Sequence, residues 1–243
     1  MAEDKKPEPG IIMLKNVRLS FSDTLFEAEK GDTIPKSGKN AGKQPWRNSI
    51  NLLMPDKDSD EGKTMRAAIV AKMKEAKDAQ WGDKADDIKI KGDRLAMRDG
   101  DEEEWQGYAG RFFVSASRTA YGPLDGNRPN RPYRIIGPRK RKMEDGTSRF
   151  PDVNEGDAEA PYAGCYVNAK VRFWAQDSEE YGKRINCSIE AIQFAKDGEA
   201  FGGGSRTNVD DEFDEEEGDD LDDDLGGKSS SGGNSGSDDD LDI

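Results

Sequence analysis

Residues 165–175 read CYVNAKVRFWA, and every second side chain in this stretch is apolar. Because successive side chains of a strand point to opposite sides of a sheet, the alternation predicts a strand with one core face and one surface face. The core face comprises Val167, Ala169, Val171, Phe173 and Ala175, and the surface face comprises Tyr166, Asn168, Lys170, Arg172 and Trp174. Two aromatic rings and two cations on one exposed face are uncommon. A merely solvated face, with Trp174 packed against a loop, is the alternative.

The same period of two recurs in other parts of the chain. Residues 11–21 place Val17, Leu19 and Phe21 in one phase. Further strands are predicted within residues 107–123 and 131–138. Residues 45–55 also alternate, with Ile50 and Leu52 opposite Arg47, Ser49 and Asn51. In residues 111–118 the side chains expected to face inward are Phe112, Val114 and Ala116. Those expected to face outward are Arg111, Phe113, Ser115 and Ser117. The pattern leaves open which of the two phenylalanines is in the core.

A hairpin is predicted after residue 165, with a polar turn around residues 177–182. In its second strand Ile185, Cys187 and Ile189 share one phase, whereas Ile192 and Phe194 fall in the other. This change of phase predicts a bulge or a strand that bends between two sheets.

A single helix interrupts these strands. In residues 62–82 the apolar side chains Met65, Ala68, Ile69 and Met73 follow helical spacing, and Gly82 comes directly after the end. Strands with one helix set between them predict a mainly β fold with one prominent helix. We therefore expect an OB-fold-like, five-stranded, partly open barrel with long loops.

Charge divides the chain into two very different parts. The formal net charge is −14, from 37 Lys+Arg and 51 Asp+Glu. Residues 207–243 hold 16 of the acids and one base, a net charge of −15, so the preceding 206 residues are nearly neutral. A segment so charged and so poor in large apolar residues cannot bury enough surface to fold alone. We predict a flexible N-terminus at 1–10, a binding domain at 11–206 and a disordered acidic tail at 207–243.

Several classes of site are disfavoured by composition. The chain has no histidine, which removes the commonest general base and zinc ligand. A calcium loop at residues 56–67 lacks the glycine and the bidentate glutamate that such loops need. The glycine spacing of GKNAGKQ is too short for a phosphate loop, so we predict a flexible basic loop. No metal or other cofactor is expected. A magnesium-dependent nuclease using acids such as Asp93 or Glu103 remains the rival hypothesis.

Composition also indicates the compartment. No apolar run approaches the roughly 20 residues that span a membrane, and the N-terminus MAEDKKPEPG has no apolar signal segment. Cys165 and Cys187 are then expected to be free thiols in a reducing cytosol, although a disulfide between them stays open.

One segment of the body is strongly basic. Residues 111–142 contain nine bases and one acid, with aromatic residues between them. Cations that follow phosphates, together with rings on which bases stack, are typical of single-stranded nucleic-acid binding. The sequence PRKRK could instead be a nuclear localisation signal. The candidate DNA-binding residues here are Arg111, Phe113, Arg118, Tyr121, Arg131, Tyr133, Arg134, Arg139, Lys140, Arg141 and Lys142. The surface face of residues 165–175 repeats this combination of rings and cations, and its candidates are Tyr166, Asn168, Lys170, Arg172 and Trp174.

The segments MLKNVRLSF, KTMRAAIVAKMKEA, GYAGRFFVSAS and GCYVNAKV…IQFAKDGEAFGGG resemble the single-stranded DNA-binding proteins of tailed bacteriophages. The last is the most specific, and the resemblance covers most of residues 11–204. It implies an OB-fold body with an acidic C-terminal tail, no enzymatic activity, and a location in the cytoplasm of the bacterial host. It also implies sequence-independent binding of single-stranded DNA in replication, recombination and repair. The rival interpretation is an enzyme, either the magnesium-dependent nuclease or a recombination or annealing enzyme.

The acidic tail has two expected roles. A polyanion tethered beside a cationic groove competes with DNA, and the GGKSSSGGNSGS stretch supplies flexible reach. When displaced, the tail would recruit a phage polymerase, helicase or recombination enzyme, with Leu221, Leu225, Leu241 and Ile243 as apolar anchors. A simple solubility tail is the alternative, and a homodimer is left open. The predicted partner-binding residues are Asp238, Asp239, Asp240, Leu241, Asp242 and Ile243.

Overall fold

Five long strands form the framework of the protein in a computed structural model, which describes residues 8–179 and 182–201. The long strands are β1 (Ile11–Ser20), β3 (Gln44–Asp56), β5 (Arg111–Gly122), β9 (Tyr166–Ser178) and β10 (Gly182–Lys196). The helix α1 spans Asp60–Trp81. The short strands are β2 (Glu29–Lys30), β4 (Met97–Asp99), β6 (Arg134–Ile136), β7 (Arg141–Lys142) and β8 (Ser148–Arg149). Short 3₁₀ turns lie at Gly82–Lys84, Gly92–Arg94 and Gly100–Glu102.

The long strands pair in a ring. Antiparallel pairing joins β5 to β3, β3 to β1, β1 to β9 and β9 to β10. The ring closes where β10 runs parallel to β5, and this ladder has the single register pair Ser188 with Ser117. A ring of five paired strands that is interrupted by one narrow seam is a partly open five-stranded barrel. The OB-like fold expected from the sequence is therefore confirmed.

The barrel interior follows the alternation of the sequence. All five side chains assigned to the core face of β9, from Val167 to Ala175, are buried. Ile50 and Leu52 of β3 and Val114 and Ala116 of β5 are buried with them. Burial of this apolar surface is the main favourable term in folding the barrel, at roughly 25 cal/mol per Å². The opposite side chains of the same strands consequently face outward.

Bulges place two strands correctly on the barrel. The register of β9 against β10 shifts between Ile189 and Ala191, so Ile189 and Ile192 are both buried. This confirms the predicted bulge. In β1 the register shifts between Leu14 and Val17, where Asn16 has φ 53°. Phe21 differs from the prediction, because the chain turns after β1 and its ring is exposed.

Helix α1 begins and ends at recognisable caps. The Oγ of Ser59 accepts a hydrogen bond from the backbone N–H of Gly62, and Gly82 adopts φ 55° after the last turn. Ile69 and Met73 are buried against the barrel, as their spacing predicts, whereas Ala68 is exposed. The predicted helix is confirmed. No helix within residues 8–179 and 182–201 is long and apolar enough to cross a membrane.

Candidate nucleic-acid interface

A groove of about 790 Å³ lies across the outer faces of β3, β5, β9 and β10. The connection between β2 and β3 contributes basic residues to it. We call this surface the cationic groove. Among the described residues that line it, none is acidic. Its charged and aromatic residues are Lys39, Lys43, Arg47, Arg118, Arg172, Arg184, Tyr121 and Trp174.

Strand register brings these side chains together from distant parts of the sequence. Arg47 on β3 pairs with Thr119 on β5, and Arg172 on β9 pairs with Ser188 on β10. Ser117 and Ser188, the register pair at the seam, both line the groove. Small side chains at the seam leave a depression, and longer cationic side chains border it. A flexible polyanion can therefore lie over the seam with its phosphates near several cations.

Trp174 is held in a defined orientation on the groove. Its Nε1 donates a hydrogen bond to the Oγ of Ser188 at 2.9 Å, and 39% of the residue remains exposed. Nearby, the amide of Asn186 donates to Gln176 at 2.9 Å. A fixed indole with an accessible face is a platform on which a nucleobase can stack, whatever its identity, because every base has a π-face.

Two groove cations already have an acidic partner. Arg118 Nη1 lies 2.9 Å from the Oε1 of Glu190, and Arg172 Nε lies 3.6 Å from the same oxygen. Arg172 also pairs with Glu8 at 2.8 Å. Glu190 thus holds both guanidinium groups at the groove and offsets part of their charge.

Neutralising Glu190 should strengthen binding of a polyanion. We expect Glu190→Gln to tighten oligo(dT) binding about 1.5- to fivefold at low salt, since measured exposed ion pairs typically contribute about 0.2–1 kcal/mol. Fluorescence titration at several salt concentrations measures the change. Glu159→Gln is the matched control, because Glu159 pairs with Arg141 away from the groove. Equal affinities for both variants and the parent would contradict a role for Arg118 and Arg172.

The structure places four of the predicted residues in the cationic groove, namely Arg118, Tyr121, Arg172 and Trp174. The other predicted residues of β9 lie on the same outer face but do not line the groove. Asn168 accepts a hydrogen bond from the N–H of Asn16 and donates to Gln193, so its amide supports the bulge. The ammonium of Lys196 lies 4.5 Å from the centre of the Tyr166 ring, and Lys170 is exposed.

The remaining basic candidates lie outside the cationic groove. Arg131 lies between the rings of Phe26 and Tyr133, at 5.6 and 5.5 Å from their centres. Arg134 pairs with Asp152 at 2.7 Å. The exposed residues Arg139, Lys140, Arg141 and Lys142 lie on and before the small β7–β8 ladder, and we call them the basic arm. None of these residues lines the cationic groove. Arg111, at the far end of β5, donates to the carbonyl of Met54.

Two rings among the candidate DNA-binding residues, Phe113 and Tyr133, are buried, which corrects their candidacy as stacking residues. Alternation alone left open whether Phe112 or Phe113 is core. Phe113 lies on the outer face, as alternation requires, but it is fully buried in a cluster with Leu53 and Tyr108. Tyr133 is buried in the main hydrophobic core, where its hydroxyl donates to the carbonyl of Leu25 at 2.6 Å, and this burial raises its pKa. Neither ring can accept a stacked base in this arrangement.

Several groove residues were not among the sequence-based candidates. Arg47 lies on the predicted polar face of β3, and that placement was the only sequence feature that could have identified it as a groove residue. Lys39 and Lys43 belong to the predicted basic loop. Arg184 is on the second strand of the hairpin. The predicted tail residues 238–243 lie outside the described residues. Cys165 and Cys187 are buried free thiols, as predicted.

Known proteins share this combination of barrel and sequence. A family profile described as Enterobacter phage Enc34 ssDNA-binding protein matches residues 11–225. The chain belongs to this family. The resemblance to phage single-stranded DNA-binding proteins is thereby confirmed.

Two relatives are similar to this chain over most of their own length. Protein p50 of Acyrthosiphon pisum secondary endosymbiont phage 1 is 34% identical over 209 residues, which cover 84% of this chain and 92% of p50. The single-stranded DNA-binding protein from bacteriophage Enc34, solved in complex with ssDNA, is 25% identical with a TM-score of 0.53. That similarity covers 79% of this chain and 90% of the Enc34 chain.

Proposed function

We propose that the protein binds single-stranded DNA without regard to sequence, in the cationic groove, during phage DNA replication and recombination in the cytoplasm of the bacterial host. The observation that carries the proposal is the groove itself, where six cations surround two exposed rings and no acid lines the surface among the described residues. Membership of a family of ssDNA-binding proteins supports the same conclusion.

The proposed mechanism has two components. Phosphates lie against Lys39, Lys43, Arg47 and Arg184, and releasing counterions from the strand makes binding depend on salt. Bases stack on Trp174 and on Tyr121, at about 1–3 kcal/mol per base. Neither component distinguishes one base from another, so binding is sequence-independent. A duplex keeps its bases stacked inside the helix, so it gains only the phosphate contacts.

The acidic tail supplies regulation in this proposal. Residues 207–243 carry a net charge of −15, the same sign as DNA, and belong to the same chain as the groove. Tethering gives such a segment an effective concentration that reaches about millimolar for short flexible linkers. We propose that the tail competes with DNA for the groove and, once displaced, recruits replication proteins through residues 238–243.

The direct test compares the full chain with a chain that ends at residue 206. Without the tail, we expect oligo(dT) to bind more tightly at low salt, with the difference shrinking as salt screens the tail. Fluorescence titration with oligo(dT) and with duplex of the same length measures both affinity and preference. Full-length protein that prefers duplex would contradict the proposed function, whereas equal affinities for the two chains would contradict only the tail mechanism.

A further inference from the structure

Two exposed aromatic rings contact each other outside the cationic groove. Phe21 and Trp105 are 45% and 40% exposed, and their ring centres are 4.8 Å apart at an angle of 72°. They rest on buried rings, with Trp105 5.1 Å from Tyr108 and 6.2 Å from Phe113. We call Phe21 and Trp105 the aromatic pair. The two rings form one small contiguous apolar patch on the surface, a feature found at many binding sites.

The backbone at Phe21 is strained. Its φ of 50° lies in the left-handed region, which bulky side chains rarely occupy. Strain of this kind persists where the surrounding structure enforces it, and it concentrates at ligand-binding sites. Phe21 is thus held in an unfavourable conformation that keeps its ring outside the core and against Trp105.

A hydrogen-bonded network supports the aromatic pair from below. The amide of Asn51 donates to the hydroxyl of Tyr108 at 2.9 Å and accepts from Ser115 at 2.7 Å. Arg98 donates to Ser115 at 3.1 Å, and its guanidinium lies 4.8 Å from the centre of the Phe113 ring. The base of the pair is therefore fixed, which lowers the entropic cost of binding a ligand on top of it.

The aromatic pair continues the path of the cationic groove. A second depression of about 230 Å³ shares Arg47, Ser117 and Arg184 with the groove and reaches Arg98. Beyond Arg98 lie Phe113 and the ring of Trp105. Along β5, Tyr121 at the groove and Phe113 under the pair are eight residues apart in sequence, about 26 Å at the rise of a strand. A strand of DNA leaving the groove in this direction meets the pair.

We propose that the aromatic pair is a second base-stacking station for single-stranded DNA that extends from the cationic groove past Arg98. The proposal rests on the proposed function, and it adds a second contact that only a longer strand reaches. DNA bound at both ends of β5 is fixed in direction and held taut between two ring platforms. A short strand engages the groove alone.

The test uses two lengths of oligo(dT), of about 4 and about 16 nucleotides, which are the limits of the range that one OB-fold occupies. With the full chain, Trp105→Ala should weaken binding of the longer strand about 5- to 100-fold and leave the shorter one unchanged. Trp105→Phe keeps a ring and should restore most of the affinity. Val70→Ala removes an exposed apolar side chain from α1 and is the matched control.

Phe21→Asn is a second variant that removes a ring of the aromatic pair. It is not expected to impair folding, because asparagine tolerates the left-handed conformation. The melting temperature of this variant should stay the same or rise, and its binding of the longer strand should still be weaker than that of the parent. If Trp105→Ala and Phe21→Asn both bind the longer strand as the parent does, the proposal is wrong. It is also wrong if the variants lose self-association but keep their DNA affinity. That result would assign the aromatic pair to contact with a second copy of the chain. Trp174→Ala with the shorter strand tests the groove independently, so failure of the station leaves the proposed function standing.

Discussion

Replacing Trp174 with alanine should weaken oligo(dT) binding about 5- to 100-fold, the loss of one stacked base. The logarithmic dependence of affinity on salt should stay the same, because the indole carries no charge and releases no counterion. Titrations at four or more salt concentrations give both quantities from one experiment. A large loss of affinity at constant slope is the signature of stacking, and phosphate contacts do not produce it.

Two further variants separate stacking from a change in local structure. Trp174→Phe retains a ring but loses the hydrogen bond to Ser188, so it should recover much of the affinity if stacking dominates. Ser188→Ala removes the same hydrogen bond and keeps the indole. A parent-like affinity for Trp174→Ala would show that no base stacks there, whatever the groove binds.

Removing two groove cations should instead change the salt dependence. We expect the double variant Arg47→Ala/Arg184→Ala to lower the magnitude of the log–log slope by about 1.4, at about 0.7 for each phosphate contact on a single strand. Both guanidinium groups line the cationic groove and the adjoining depression, so both are placed to contact phosphates. The affinity lost at low salt should shrink as salt rises.

The basic arm provides the matched control for charge. Arg139→Ala/Lys142→Ala removes the same charge from the surface outside the groove. If DNA lies in the groove, this second variant should leave the slope nearly unchanged. If the arm variant changes the salt-dependence slope more than the groove variant does, the DNA binds at the basic arm. Composition alone had suggested that location.

The fold was largely predictable because its determinants are local. Alternation along β9 fixes which side chains enter the core, and the change of phase after Ile189 marks a bulge. Helical spacing identifies α1 in the same way. These patterns depend on neighbours in sequence, so they can be recognised without knowing the tertiary structure. Phe21 escapes the pattern because a turn just after β1 places its ring outside the core.

The candidate site was only partly predictable because it depends on contacts between distant segments. Alternation correctly assigns Phe113 to the outer face, but Tyr108, from the loop before β5, covers it. Tyr133 packs in the hydrophobic core, and its hydroxyl bonds to the carbonyl of Leu25, 108 residues away. Arg47 enters the groove only because β3 pairs with β5. A prediction based on the basic segment alone therefore gives the basic arm too large a role in DNA binding and β3 too small a one.

The central claim is that single-stranded DNA lies in the cationic groove over the seam between β5 and β10. Photo-cross-linking of an iodo-deoxyuridine oligonucleotide to the full chain, with the cross-linked peptides mapped by mass spectrometry, tests it most directly. We expect cross-links at Trp174 and Tyr121, the two exposed rings of the groove. Cross-links confined to the basic arm, with none at either ring, would contradict the claim.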